Sequence, residues 1–187
     1  MARKGTNTNP SKKPFSKRPN LKLSNQQRLI FGSLLIILGL LLFISFLSFL
    51  FTGDMDQSAL SEFASRDVKT QNWASKVGAW LGDFFLHRGF GIASFIFSGL
   101  MFLTGIFILT GANKSRLKTH WFWGILAIIW ISTLLGFFSN LNAELGGRIG
   151  YEVNLYLQDY IGKIGVILLL LFCLIVYLAV RFKITPE

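Results

Sequence analysis

Four long apolar runs without Asp, Glu, Lys, Arg or His divide the chain. They cover residues 29–51, 89–111, 121–138 and 164–180. An α-helix rises about 1.5 Å per residue, so about 20 residues cross a hydrocarbon core of about 30 Å. The first two runs reach that length, and the last two have neighbours that can extend them. The pattern predicts an all-α integral membrane protein with four transmembrane helices.

Apolar positions recur with helical spacing just before the second run. Val77, Trp80, Leu81, Phe84 and Phe85 fall at positions i, i+3, i+4, i+7 and i+8, which share one helix face. This predicts an amphipathic helix on the outer membrane surface, which turns into the second span at a glycine. The candidate interfacial residues are Gly78, Trp80, Gly82, Asp83, Phe84, His87, Arg88 and Gly89.

A similar segment precedes the fourth run. Ile149, Val153, Tyr156, Leu157 and Tyr160 again share one helix face, which predicts a second interfacial helix. The two halves could be a duplicated two-span unit, or each outer segment could have acquired glycines and aromatics independently. The candidate residues here are Gly146, Gly147, Gly150, Tyr156, Tyr160 and Gly162.

Three ionisable residues lie next to the second run: Asp83, His87 and Arg88. A proton relay needs ionisable groups inside the spans, because it must cross the low-dielectric slab. The four runs contain none, so we expect these side chains to form a solvated helix face at the interface.

The net charge of +10 is distributed unevenly. Residues 1–28, 112–120 and 181–187 contain 13 of the 19 basic residues and one acid, whereas outer loops 52–88 and 139–163 contain the other eight acids. Since cationic loops resist translocation, both termini are expected in the cytoplasm. The candidate topogenic residues are Lys12, Lys13, Lys17, Arg18, Arg28, Lys114, Arg116 and Lys118.

The basic tail, residues 1–28, has few apolar side chains and is expected to be disordered. It could serve as a topogenic segment attracted to anionic lipids, as a docking peptide, or as a DNA contact. Metal and disulfide chemistry have little support, because Cys173 is the only cysteine and His87 and His120 lie 33 residues apart. We expect no catalytic, metal or cofactor-binding residue in the chain.

Three segments carry a resemblance to a known family. The first span ends LLLFISFLSFLFTGD, with a serine-rich exit before an acid. The segment NWASKVGAWLGDFFLHRGFGIASFIF has Gly78, Ala79, Asp83 and Gly89 at the positions of a family pattern, with Gly82 at a usual alanine. The segment LGGRIGYEVNLYLQDYIGKIGVILLLL has matching glycines before the fourth span. Over residues 26–182 the chain resembles the N-terminal four-transmembrane domain of FtsK/SpoIIIE-type bacterial DNA translocases.

The resemblance implies a membrane-anchoring and assembly module, residues 29–180, at the division septum of the bacterial cytoplasmic (inner) membrane. It implies membrane lipid and division-site membrane proteins as partners. It also implies a cytoplasmic linker from residue 181 and a hexameric motor that uses ATP and Mg²⁺ and alone contacts DNA. No GxxxxGK[ST] phosphate loop occurs in the sequence. The chain is therefore expected to be a fragment of a longer protein or a relative without a motor, and not an ATPase.

Two other functions remain open. A small multi-pass transporter or channel would need a polar path through the spans, with hydroxyl side chains as the candidates: Ser94, Ser98, Thr104, Ser132 and Thr133. An interfacial enzyme would need Asp83, His87 and Glu144 to act together in acid–base chemistry.

Overall fold

The computed structural model describes residues 24–60, 67, 69–112 and 114–182. This part of the chain is helical and has no β-strand. The main helices are α1 (Asn25–Leu60), α2 (Ser75–Gly82), α3 (Ser94–Thr110), α4 (Lys114–Leu135) and α5 (Gly147–Phe182). A π-helix (Asp83–Phe90) and a 3-10 turn (Gly91–Ala93) join α2 to α3, and a second 3-10 turn (Gly136–Phe138) follows α4.

Four helical segments are long and apolar enough to cross a membrane, which confirms the predicted fold class. They are Asn25–Gln57, Ser75–Thr110, Ser115–Phe138 and Gly147–Phe182. With 36 residues, α1 is about 54 Å long and so exceeds a hydrocarbon core of about 30 Å. The C-terminal part of α1 is therefore long enough to project beyond the hydrocarbon and support the segments that follow.

The spans pack in a row. Helix α1 packs along α3, α3 on α4 and α4 on α5, while among the described residues no Cα atom of α1 lies within 8 Å of α4 or α5. Small residues bring α1 and α3 together: a Cβ on Gly105 would lie 2.7 Å from the carbonyl oxygen of Gly32. The transmembrane layer is therefore open at α1 and at α5.

The row of spans has two ends. We call the end where α1 begins and α5 finishes the terminal end, and the opposite end, with the segments before α3 and α5, the loop end. At the terminal end, a Cβ on Gly111 would lie 2.6 Å from Nη1 of Arg28, so the start of α1 lies beside the turn between α3 and α4. Arg116 and Lys118 are exposed at the start of α4. The predicted topogenic residues Lys12, Lys13, Lys17 and Arg18 lie outside the described residues, as does the side chain of Lys114. Four spans return the chain to the end where it started.

Glycines break both helical segments at the loop end. Gly89 (φ −89°, ψ −128°) interrupts the path from α2 into α3. Gly162 (φ 69°, ψ 167°) divides α5 into a helix at the loop end, residues 147–161, which we call its outer helix after the predicted topology, and a span, residues 163–182. The left-handed φ of Gly162 favours glycine, because a Cβ is strained there. A helix thus precedes both the second and the fourth span, and each ends at a glycine.

Candidate functional site

The best-defined part of the loop end is a set of backbone crossings, which we call the glycine junction: Gly89, Gly91, Gly136, Gly146, Gly147 and Gly150. The first residue of α5, Gly147, has φ 64° and lies against the break before α3. A Cβ on Gly147 would overlap the Gly89 oxygen and the Gly91 nitrogen, and would lie 2.6 Å from the Leu86 oxygen. The two outer segments therefore touch backbone to backbone.

Hydrogen bonds hold this crossing together. The backbone N–H of Ile92 donates to the carbonyl oxygens of Glu144 (3.0 Å) and Leu145 (3.2 Å). On the other side of the junction, Ser132 Oγ donates to the Gly146 oxygen at 2.7 Å. Each side of the turn before α5 is thus bonded to a different span, so the junction links α3, α4 and α5.

A buried asparagine fastens the outer helix of α5 to α4. Asn154 is 1% exposed, and its Nδ2 donates to the Thr133 oxygen at 2.9 Å. Gln158 Nε2 in turn donates to Asn154 Oδ1. Close approach is possible because Gly150 and Gly136 face each other: a Cβ on Gly136 would lie 3.0 Å from the carbonyl carbon of Gly150.

A polar cluster fastens the other outer segment to α1. Asn72 Nδ2 donates to the Ser45 oxygen at 3.1 Å, and Ser48 Oγ accepts from the backbone N–H of Trp73 at 3.0 Å. The fully buried Asp56 accepts from Thr52 Oγ1 and from the backbone N–H of Gln71, both at 2.6 Å. The serine-rich exit of the first span therefore acts as a hydrogen-bonding surface for the chain that enters α2.

The outer helices bury the faces opposite to those of a soluble amphipathic helix. Gly78, Gly82 and Asp83 are buried, whereas Trp80 and Phe84 are about half exposed. The reason is packing: Gly82 lies so close to Phe49 of α1 that a Cβ there would overlap its ring. The expectation that Asp83 is solvated is therefore wrong.

The second outer segment repeats this arrangement. Gly150 and Asn154 face the protein, whereas Tyr156 and Tyr160 are 62% and 73% exposed. In a membrane protein an exposed aromatic face can contact lipid, and Tyr and Trp side chains favour the headgroup region. Both exposed faces are therefore suited to the interface, although their position in a membrane stays a prediction.

Asp83 is buried because Arg88 neutralises it. Arg88 Nε lies 2.7 Å from Asp83 Oδ2, and the Asp83 side chain is only 6% exposed. Together with His87 these residues line an open cleft of about 410 Å³ at the loop end, which also includes Gln57, Leu60 and Arg148. Asp83, His87 and Arg88 are neighbours in the sequence, whereas Gln57 and Arg148 join them from distant segments.

The third residue of the possible enzyme site lies elsewhere. Glu144 does not line the cleft, and its Oε1 lies against Gly53 of α1. No group of three or more His, Cys, Asp or Glu side chains that could hold a metal ion occurs in the part of the chain that the structure describes. The arrangement does not bring Asp83, His87 and Glu144 together around one reacting atom.

A family model for the 4TM region of DNA translocase FtsK/SpoIIIE matches residues 24–185. The chain belongs to this family. The match covers all four spans, the glycine junction and the cleft. No curated protein and no solved structure matches the chain. The family match therefore shows that the chain contains the four-transmembrane region of the FtsK/SpoIIIE family.

One carboxyl group of this FtsK/SpoIIIE membrane region has a strongly shifted pKa. Burial, together with the smaller effect of the negative charge of Asp54, raises the pKa of Glu144 from 4.5 to about 7. Glu144 lies in the turn before α5, outside the spans. Above its folded-state pKa, the folded protein must bury an ionised carboxylate beside Asp54.

We expect this region to lose stability as pH rises from about 4.5 to about 7, by at most about 3 kcal/mol from this group. The sign follows because a raised pKa favours the protonated folded state, so the contribution is complete below pH 4.5 and is lost through pH 7. The measurement is the thermal midpoint of the detergent-purified protein and of Glu144→Gln from pH 4 to 8. Relative to the unsubstituted protein, Glu144→Gln should have a more favourable thermal midpoint at pH 8 than at pH 4. A difference between the two midpoints that is constant with pH would contradict this.

Proposed function

We propose that this region anchors a DNA translocase in the bacterial cytoplasmic membrane and assembles it at the division septum, in cell division and chromosome partition. The observation that carries the proposal is the family match over residues 24–185, on a chain with four spanning helices. The region contributes position and assembly, while ATP and Mg²⁺ binding and DNA movement belong to a motor domain.

The polar side chains of the spans support an anchor over a transporter or channel. Ser98 Oγ and Thr104 Oγ1 donate to carbonyl oxygens of their own helix, at 2.8 and 2.7 Å. Ser94 Oγ donates to the Phe85 oxygen at 2.6 Å, and Ser132 to the junction. A hydroxyl whose proton already bonds the backbone adds little polarity to a path for solutes. Four of the five candidate hydroxyl groups, those of Ser94, Ser98, Thr104 and Ser132, thus already donate to backbone oxygens.

The charge distribution supports a cytoplasmic terminal end. Arg28, Arg116 and Lys118 lie at that end, and the acids Asp54, Asp56 and Glu144 lie at the loop end. By the positive-inside rule the terminal end faces the cytoplasm. A motor that follows α5 would then reach the chromosome without crossing the membrane.

The open row of spans supports assembly with further subunits. Only 11% of the span window in α5 is buried within the protein, compared with 33% in α1. Lipid, other copies of the chain or division-site membrane proteins can cover these faces. A ring of copies, with six expected from the family's motor, would place α5 of one copy near α1 of the next.

The proposal predicts that residues 1–187 fused to a fluorescent protein collect at mid-cell in dividing bacteria. The test variant is the same fusion with Gly147→Ala, which should disturb the glycine junction and so lose the mid-cell signal. The matched control, Gly99→Ala, changes a glycine with open space around it and should localise normally.

Uniform fluorescence around the cell periphery, from a fusion that is intact and membrane-inserted, would contradict the septal role. Solute transport by the purified chain in liposomes that is abolished by a substitution at Asp83 would favour the transporter instead. ATP hydrolysis by the purified chain would contradict the assignment of the motor to another domain.

A further inference from the structure

The cleft at the loop end presents hydrogen-bond donors from three segments. Gln57 extends from α1, His87 and Arg88 from the π-helix, and Arg148 from the first turn of α5. The two guanidinium groups are accessible, with 68% of the Arg88 side chain and 75% of the Arg148 side chain exposed. Guanidinium groups bind phosphate and carboxylate with paired, charge-assisted hydrogen bonds.

The positive charge of the cleft is only partly compensated. Among the described residues that line the cleft, Asp83 is the one acid, and its Oδ2 lies 2.7 Å from Arg88 Nε. Arg148 has an acidic neighbour, Glu152, but their closest atoms are 3.9 Å apart and both side chains are mostly exposed. Such an exposed pair is weak, so Arg148 can exchange this partner for a ligand.

The surroundings of the cleft indicate where its ligand comes from. Trp80 of α2 and Phe84 of the π-helix, which also carries Asp83 and His87, are about half exposed. On the helix that carries Arg148, the exposed face includes Tyr156. Exposed Trp and Tyr side chains favour the headgroup level of a bilayer, so a cleft beside them would open where lipid phosphates are concentrated.

From these observations we infer that the cleft binds the phosphate group of an anionic phospholipid. Arg148 and the terminal nitrogens of Arg88 contact the phosphate oxygens, while His87 and Gln57 supply further hydrogen bonds. The volume of about 410 Å³ lies in the range of small-ligand sites and accommodates a headgroup without its acyl chains. Bound lipid would bridge α1, the π-helix and α5, and so strengthen the loop end. This inference does not depend on the septal role.

The test uses the purified full chain in neutral detergent and counts bound lipid by native mass spectrometry. Short-chain phosphatidylglycerol is titrated in one arm, short-chain phosphatidylcholine in a second, and inorganic phosphate competes with phosphatidylglycerol in a third. We expect phosphatidylglycerol to bind about tenfold more tightly than phosphatidylcholine, and Arg148→Gln to weaken its binding about tenfold. His87→Gln should weaken it by a smaller factor.

Lys163→Gln is the matched control, because Lys163 is an exposed basic residue at the start of the fourth span and does not line the cleft. It should change phosphatidylglycerol affinity less than about twofold, as expected for diffuse electrostatics. Equal losses from Arg148→Gln and Lys163→Gln would overturn the cleft as the site. Equal binding of the two lipids would overturn the anionic ligand, and inorganic phosphate that binds as tightly as phosphatidylglycerol would overturn the lipid source.

Discussion

Gly147→Ala is expected to destabilise the membrane region by at least about 3 kcal/mol. Two effects add at this position. The left-handed φ of 64° is strained for any residue with a Cβ, and that Cβ would overlap backbone atoms of Gly89 and Gly91. Backbone on both sides of the crossing is held by hydrogen bonds, so neither segment can move away without losing them. The measurements are the thermal midpoint and the monodisperse fraction after detergent extraction.

Two other glycines separate these effects. Gly162 has φ 69° but nothing within 4 Å of an ideal Cβ, so Gly162→Ala tests backbone strain alone and should cost about 1–2 kcal/mol. Gly99 has open space and lies inside α3, so Gly99→Ala should be neutral or slightly stabilising. If Gly147→Ala were no worse than Gly162→Ala, the backbone crossing would not contribute to stability.

The four spans could be predicted from sequence because length and apolarity alone decide whether a helix can cross a bilayer. The full length of α1 could not be predicted in this way. The predicted span ended at Phe51, before Asp54 and Asp56, yet α1 continues to Leu60. Asp56 is buried there, and one of its two hydrogen-bond donors, besides the nearby Thr52 hydroxyl, is the backbone N–H of Gln71 from 15 residues away. Such a partner cannot be identified from local hydropathy.

The faces of the outer helices were harder to assign. The spacing of Trp80 and Phe84 correctly indicated a helix. The usual inference, however, buries the apolar face of such a helix and leaves Asp83 in water. Lipid can cover an apolar face, so packing instead selected the face with small residues, where Gly82 meets Phe49. The neutralising partner of Asp83 was visible in sequence as Arg88, five residues on, and burial of the acid was the unrecognised consequence.

The glycines of the junction were identified individually, yet their shared role required the tertiary structure. Gly91 and Gly147 are 56 residues apart, and neither the spacing nor the composition of the chain predicts that their backbones touch. The same limit applies to the cleft, because Gln57 and Arg148 reach it from opposite halves of the chain. Hydropathy identifies the helices that can enter the membrane, whereas the glycine junction and the cleft depend on which segments contact one another.

Arg88→Gln is expected to destabilise the region by about 2–3 kcal/mol. The substitution removes the positive charge beside Asp83, whose side chain is 6% exposed, and leaves a buried carboxylate without its partner. The expected loss is below that for a fully buried pair because the Arg88 side chain is itself 68% exposed. The measurement is the thermal midpoint at pH 7.

Asp83→Asn in the Arg88→Gln background removes the buried charge and should recover most of the lost stability. A double-mutant cycle isolates the pair, since Asp83→Asn alone leaves an accessible arginine that water can solvate and should cost less than Arg88→Gln alone. Arg148→Gln serves as the charge-matched control, because its ion pair with Glu152 is long and exposed, and should change stability by less than about 0.5 kcal/mol in lipid-free detergent. Additive effects of the two substitutions would mean that Asp83 and Arg88 act independently. The buried carboxylate would then need another source of compensation at the loop end.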